Sequence, residues 1–387
     1  MEWHIVTGEY PPCLGGVSDH TYLLATALRD IGESVHIWTP GGPAELCQLA
    51  GAQVHQLPNG FGPRWLYALD RGLAARAGRE RTLFVQYVPH MYGWKSMNVL
   101  FCAWLALRGR KDRLWMMFHE VAFPFRRGQP LRHDLLAVVH RGMAAVVLRG
   151  ARRSFTTNEP YRALLKRLAP RARVSLLRLF SHVPFDHKPA AGASVEPRRS
   201  CAVVGMFSSF NSETFEILDR TLPTLFRDSE FHLRLIGPGE RFIEHFSGRW
   251  PEYQGRLSTT GRVDSLKAAP YMQECDALLQ LYPDGVCASR STFIAALASG
   301  VPVITTAGPL TEVLLLASDG IVYADNDPEA IRTVLDRLLI HKSTARRIGE
   351  SGKRLYEMHF ALDTSITTLT GRRASATEDL VQIAEAT

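Results

Sequence analysis

Three places along the 387-residue chain put reactive side chains where a ligand can reach them. The first is Thr7-Gly8-Glu9-Tyr10-Pro11-Pro12-Cys13-Leu14-Gly15-Gly16-Val17-Ser18-Asp19-His20, a loop between an apolar run and a helical pattern. Paired glycines let the backbone come close to a ligand, and the helix start behind them aims N–H groups at an anion. The spacing is not G-x-G-x-x-G, so the dinucleotide fingerprint is absent. On its own the loop reads equally well as a tight turn with Ser18 or Asp19 as helix cap. The second place is His119-Glu120, directly after the apolar run Arg113–Phe118. An imidazole beside a carboxylate can move a proton or orient a hydroxyl, although a histidine here also serves simply to end a strand. The third is the stretch from Pro283 to Thr292. Arg290 offers a permanent, bidentate cation for phosphate oxygens. Ser289, Ser291 and Thr292 set hydroxyls around a helix start whose N–H groups favour a pyrophosphate. Cation, hydroxyls and helix start together favour phosphate binding over a solvated surface.

The elements that must position these groups are strands alternating with helices, the pattern of parallel sheets with crossover helices. In the first half the strand runs are His4–Thr7, Ser34–Thr39, Thr82–Tyr87, Arg113–Phe118, Arg152–Thr156 and Val174–Leu179. Apolar periodicity puts helices over Asp19–Ile31 and Arg132–Arg149. The polar, proline-bearing stretch around Asp186–Ser194 has no period and reads as a linker. Strand runs resume at Ser200–Met206, Phe231–Ile236, Ala277–Leu281 and Val301–Thr305. The expected organisation is a Rossmann-like domain over 1–185, a linker over 186–199, a second Rossmann-like domain over 200–365, and a tail over 366–387 that crosses back. Such α/β sheets bind ligands beyond the carboxyl ends of their strands, so a cleft between two of them is where chemistry is sought.

Composition narrows the classes. Hydrophobic residues make up 46% and charged residues 21%, an ordinary globular balance. A net charge of +7 suits anionic partners without choosing among nucleotides, lipids and nucleic acid. The six cysteines form no C-x-x-C pair, so reduced thiols in a cytosolic protein are expected, not zinc or a disulfide framework. No apolar run reaches the roughly 18 residues of a membrane span, and the start Met1-Glu2-Trp3-His4 does not read as a signal peptide.

The string Glu9-Tyr10-Pro11-Pro12 with Gly15-Gly16-Val17 and His20, together with Gly300-Val301-Pro302, resembles the family 4 retaining glycosyltransferases. That group of two-domain enzymes with the GT-B fold includes sucrose- and glycogen-synthase-like members. The resemblance implies that Gly15 and Gly16 approach the donor diphosphate, and that Glu9 and His20 lie toward the acceptor. It implies that His119 sits near the donor sugar, with Glu120 orienting the imidazole or binding an acceptor hydroxyl. Asp284-Gly285 resembles the first of the family's two glutamates with its glycine, whereas Ala295 stands where the second belongs. The family's arginine and lysine after the strand Ser200–Met206 are replaced by Met206 and Asn211. Ser208 and Ser209 remain as donors there, and the missing charge falls to Arg290 and Arg262. Val263, in a stretch that looks like the loop bordering the base, would read the base edge with its backbone.

The implied activity is transfer of a sugar from a nucleotide-diphosphate sugar, with retention and without metal or further cofactor, since no D-x-D or ligand cluster stands in a strand-end loop. Leaving diphosphate would be stabilised by Arg290 and backbone N–H groups. The competing readings are an epimerase or hydrolase of the same architecture, using Glu9, Glu120 or His119 as base, and a binding protein that has lost catalysis. Nucleic acid is not an expected partner. A lipid-linked sugar or a small molecule is the expected acceptor, and the protein is expected to be cytoplasmic, with peripheral contact at the inner face of a membrane through Arg64-Trp65-Leu66-Tyr67, Trp104, Arg108, Arg110, Lys111, Arg113, Phe123, Phe125, Arg126, Arg127 and Arg132.

Overall fold

Short buried runs alternate with helices along most of the described chain, and every strand pairing is parallel. The computed structural model describes residues 1–13, 15–41, 51–58, 60–76, 80–125, 127–185, 201–227 and 229–372. The linker expected at 186–199 and the tail beyond residue 372 lie outside the described residues. The chain divides into two units, one formed by Met1–Arg178 and the chain from Leu362 onward, the other by Leu179–Ala361.

In the first unit β1 (Glu2–Val6), β2 (Ser34–Pro40), β3 (Gln53–Leu57), β4 (Arg81–Tyr87), β5 (Arg113–Phe118), β6 (Arg153–Thr156) and β7 (Val174–Leu176) form one sheet. Its order is β3-β2-β1-β4-β5-β6-β7, with every pairing parallel. In the second unit β8 (Ala202–Phe207), β9 (Phe231–Ile236), β10 (Leu257–Thr259), β11 (Ala277–Gln280), β12 (Val303–Thr306) and β13 (Val322–Ala324) run in the order β10-β9-β8-β11-β12-β13, again all parallel. Both sheets reverse their winding direction at one place, between β1 and β4 and between β8 and β11. At those places the following helices diverge to opposite faces and leave a crevice at the carboxyl edge.

Packing explains the rigidity of both edges. One face of the first sheet carries Trp3, Phe84, Trp115 and Phe155 in edge-on contacts 5.4–6.2 Å between centroids, one aromatic ring from each of four adjacent strands. The opposite face packs Val6, Val85 and Met116 against the helix Pro63–Ala74, whose buried Trp65, Leu69 and Leu73 share one side. In β8, Val203 and Val204 alternate between two separate cores, so that sheet is covered on both faces. The helix Leu362–Thr370 packs on the helix Gly16–Asp30, and Ser365 donates to the carbonyl of Arg178 at 3.4 Å.

Three strands were not anticipated: β3, β10 and β13. All three are sheet edges.

Candidate active site

The carboxyl edge of the first sheet holds a cluster of ionisable groups. Glu9, just after β1, turns its carboxylate back onto the helix Gly16–Asp30, where Oε1 accepts the Ser18 N–H at 3.1 Å. Gly15, the residue before that helix, has no side-chain cap to offer. A β-carbon at Gly15 would collide with the Glu9 carboxylate, so the glycine makes room for this external cap. Burial raises the Glu9 pKa, while the N–H groups of Ser18 and Val17 and the nearby His90 pull it down. An anion arriving at this helix start competes with Glu9.

His90, in the loop after β4, donates from Nδ1 to Oε2 of Glu120, which follows β5, at 3.1 Å. Their hydrogen bond raises the His90 pKa and lowers that of Glu120, so each group favours the ionised form of the other. His119 Nε2 lies 2.6 Å from Oε1 of Gln86, a fully buried side chain on β4. His20 is also fully buried, and its ring packs edge-on against His119 with centroids 4.9 Å apart. His20 therefore backs His119 and does not face solvent. Of the first-unit residues expected at the site, Glu9, His20, His119 and Glu120 share this edge; Gln86 and His90 join them unannounced.

In the second unit the loops after β8 and β11 meet at the other reversal point. Gln280 at the end of β11 donates to the carbonyl of Phe207 at 3.1 Å and accepts the Tyr282 hydroxyl at 2.9 Å. The same hydroxyl lies 3.0 Å from Thr292 Oγ1, and the Arg290 guanidinium sits 4.8 Å above the Tyr282 ring. Tyr282, at the junction, thereby fixes Arg290 and Thr292 together. Arg290 has no ion pair among the described residues.

The helix that begins here, Ser291–Ser299, has Arg290 at its N-cap position and no side-chain cap. Ser289, expected with Ser291 as a hydroxyl donor to phosphate, lies 3.1 Å from Cys287 Sγ through its own hydroxyl. No side chain caps the N–H groups at this helix start. The neighbouring helix Ser212–Arg227 differs, since Asn211 accepts the Thr214 N–H at 3.0 Å and so caps it. Ser208 supports that loop, its hydroxyl accepting the Phe210 N–H at 3.2 Å, while Ser209 is exposed. Met206 is core.

Asp284 is exposed at the tip of the loop after β11. Gly285 adopts φ +83°, and a β-carbon there would strike the backbone of Gly308, so this glycine is needed for packing as well as conformation. The loop is tied down from below by Glu312, a buried carboxylate whose Oε2 accepts the Ala288 N–H at 2.9 Å. Arg262 is exposed and Val263 packs against the core. Ala295, within the helix Ser291–Ser299, is buried in the core, where an unpaired carboxylate would be costly.

Away from both edges, Glu2, His4 and His36 form the one group among the described residues with ligand atoms close enough for a metal. Its hydrogen bonds argue otherwise. The Trp38 indole can only donate, and it donates to His4 Nδ1 at 3.0 Å, so the His4 proton sits on Nε2, 3.0 Å from Glu2 Oε1. His36 Nε2 lies 3.2 Å from the same oxygen and its Nδ1 3.0 Å from His55 Nε2. A metal on His4 Nε2 would strip the ring of its only proton. The group is a buried hydrogen-bond relay on β1, β2 and β3.

Comparison with known proteins bears on the second unit first. Residues 198–341 match the family described as Glycosyl transferases group 1. Solved structures extend the likeness to both units. Sucrose-phosphate synthase from Thermosynechococcus elongatus superposes with a TM-score of 0.71 at 16% identity, covering 96% of this chain and 97% of that one. A glycosyltransferase from Rickettsia africae gives 0.71 at 13%, covering 96% and 97%. Anabaena HepE, solved with UDP and glucose, gives 0.68 at 12%, covering 96% and 98%. The fold is GT-B. No curated protein matches the sequence.

Of the basic and aromatic residues expected to face a membrane, Arg64, Tyr67, Arg110, Lys111, Phe125, Arg127 and Arg132 are exposed, and others are not. Trp65 and Leu66 are buried, and Trp104 packs against the core. Arg108 is buried against Asp112 and, at 2.5 Å, Asp70, and Arg113 pairs with Glu80. Arg126 lies outside the described residues.

Proposed function

We propose that this chain is a glycosyltransferase whose second unit holds a nucleotide-diphosphate sugar and whose first unit holds the acceptor. The observation that carries the reading is the helix start at Ser291, left without a side-chain cap beside an Arg290 that no carboxylate neutralises among the described residues. It lies at the winding reversal of the sheet inside the matched segment. As the sugar C1–O bond to the diphosphate breaks, negative charge grows on the leaving oxygen. Arg290 and the helix N–H groups meet that charge without reorganising. Thr292, Ser289 and Ser291 supply neutral donors around it. Asp284, on the same loop, is placed for the sugar hydroxyls, and the backbone of Val263 for the base. Gly15 and Gly16 would take a share of the diphosphate only if Glu9 yields its place.

On the acceptor side, His119 held by Gln86 and His20 offers a fixed donor or acceptor to the sugar. Glu120, ionised beside His90, takes a hydrogen bond from the acceptor hydroxyl. Retention of configuration and independence of metal belong to the same reading, with Arg290 standing in for a divalent ion. HepE, solved with UDP-glucose, supports a donor of that class.

A panel of nucleotide sugars incubated without acceptor tests this. Slow release of nucleoside diphosphate from one of them, unchanged by excess EDTA, is the expected result. Failure of every donor to bind would sink the reading. Release abolished by EDTA and restored by magnesium would transfer the role of Arg290 to an ion, and a recovered epimer would identify a different enzyme.

A further inference from the structure

The outward half of the helix Leu131–Gly150 is apolar where a surface helix should be polar. Leu131, Leu135 and Val138 fall at positions i, i+4 and i+7, one stripe, and are 85%, 58% and 58% exposed. The helix Val99–Arg108 packs along this helix, with Gly109 against Gly150 at one end and Ser96 against His140 at the other. The two helices are therefore parallel, and the stripe projects past the start of the shorter one, at the carboxyl edge of the first sheet.

Two loops extend the stripe. The carbonyl of Ser96 accepts His140 Nε2 at 2.9 Å, which anchors the segment carrying Trp94, Val99 and Leu100, all exposed. The Phe123 N–H donates to His140 Nδ1 at 3.2 Å, and the Arg141 guanidinium lies 4.2 Å from the exposed Phe125 ring. Seven of the sixteen large hydrophobic side chains left exposed among the described residues lie on these three segments. Scattered apolar residues are ordinary on a surface; a cluster of this kind marks an interaction site. The loop is also held against its preference. Trp94, Lys95 and Ser96 have φ of +50°, +51° and +69°, a left-handed conformation that residues other than glycine rarely adopt. It keeps Trp94 turned outward.

Charge selects the partner. Lys95, Arg127 and Arg132 are exposed around the stripe. Of the nearby acids, Glu120 pairs with His90, while Asp134 takes a hydrogen bond from the neutral Gln129 at 2.5 Å and keeps its charge, one carboxylate against three cations. A second copy of the chain would set these three cations against themselves. An anionic lipid surface meets both the apolar stripe and the cations.

We infer that Leu131, Leu135 and Val138, with Trp94 and Phe125 beside them, dock the first unit on an anionic bilayer, and that the acceptor hydroxyl is carried by a lipid. The docking stands by itself; the acceptor's chemistry rests on the transferase reading above.

Flotation of the full chain with phosphatidylcholine vesicles, with and without phosphatidylglycerol, is the test. The expected result is flotation with the anionic vesicles and much less with the neutral ones. Replacing Lys95, Arg127 and Arg132 together by alanine should lower partitioning by roughly a hundredfold. The triple change Leu131→Ser, Leu135→Ser, Val138→Ser should abolish flotation while leaving the thermal midpoint and acceptor-free donor hydrolysis unchanged. Equal recovery with both vesicle types, no flotation at all, or a dimer that the serine variant dissolves would overturn the docking face. A chain that floats but hydrolyses no nucleotide sugar keeps the face and loses the lipid acceptor.

Discussion

Two helix starts at the carboxyl edges of the two sheets meet the same physical problem and solve it oppositely. The helix Gly16–Asp30 has its positive end covered by the chain's own carboxylate, Glu9, admitted by a glycine at position 15. The helix Ser291–Ser299 has no side chain across its start and a guanidinium beside it. With matching topology in the two units, the difference lies in which end is already neutral. A neutralised start has no strong claim on a phosphate; an uncapped start beside a cation has one. The same winding thus yields one edge suited to an uncharged hydroxyl and another suited to a diphosphate.

Acid should separate the units most. Burial pushes His4 down to about 3 and His55 to about 4 in the first unit, and His182 to about 4 in the second. Each unfolded imidazole binds its proton below about pH 6.5 while the folded one refuses it, so stability is full above that pH and falls on acidification. The slope is up to about 1.4 kcal/mol per pH unit for each such histidine. Hydrogen exchange between pH 7 and 4 should show the β1–β3 amides losing protection before those of β11 and β12. The reverse order would show that the relay around Glu2 accepts protons in the folded state.

Next in size is Arg290→Ala. Loss of a charged hydrogen-bonding partner should weaken nucleoside-diphosphate binding by about 1.5–3 kcal/mol, read by calorimetry. Unchanged affinity would remove Arg290 from the donor site.

Smallest is the change at the first helix start. Gly15→Ala should displace Glu9 and cost about 1 kcal/mol of stability, with nucleotide affinity untouched. If nucleotide affinity falls as well, the two helix starts share one ligand and the contrast between them disappears.

What the sequence showed and what it hid follow from exposure. Interior strands such as β4 and β5 are buried on both faces and carry the apolar runs Leu83–Val85 and Leu114–Phe118. The missed strands β3, β10 and β13 each have one neighbour, and β3, Gln-Val-His-Gln-Leu, has a single buried residue. Edge strands pair by backbone, which leaves little mark on composition. At the site, His119 and Glu120 were legible because they end a strand. His90 lies only three residues past the end of β4, at the winding reversal, and the strand order would have flagged it; the sequence alone does not give that order. Gln86 and Glu312 act from beneath, and nothing local distinguishes a buried polar anchor from a stray one. Trp65 could be read as membrane-facing beside Arg64 or as core; Trp65, Leu69 and Leu73 share a helical face, a periodicity that outweighs the neighbouring arginine.

The helix Leu362–Thr370 closes the first unit from the far end of the chain, after the whole of the second. During synthesis, the first sheet therefore emerges from the ribosome long before the helix that covers Gly16–Asp30, and must wait with that surface bare. The second unit has all of its chain in one piece and can finish folding in the interval. A circular permutant that joins the two ends of the chain and opens it between Arg178 and Leu179 would make the first unit contiguous and remove the wait.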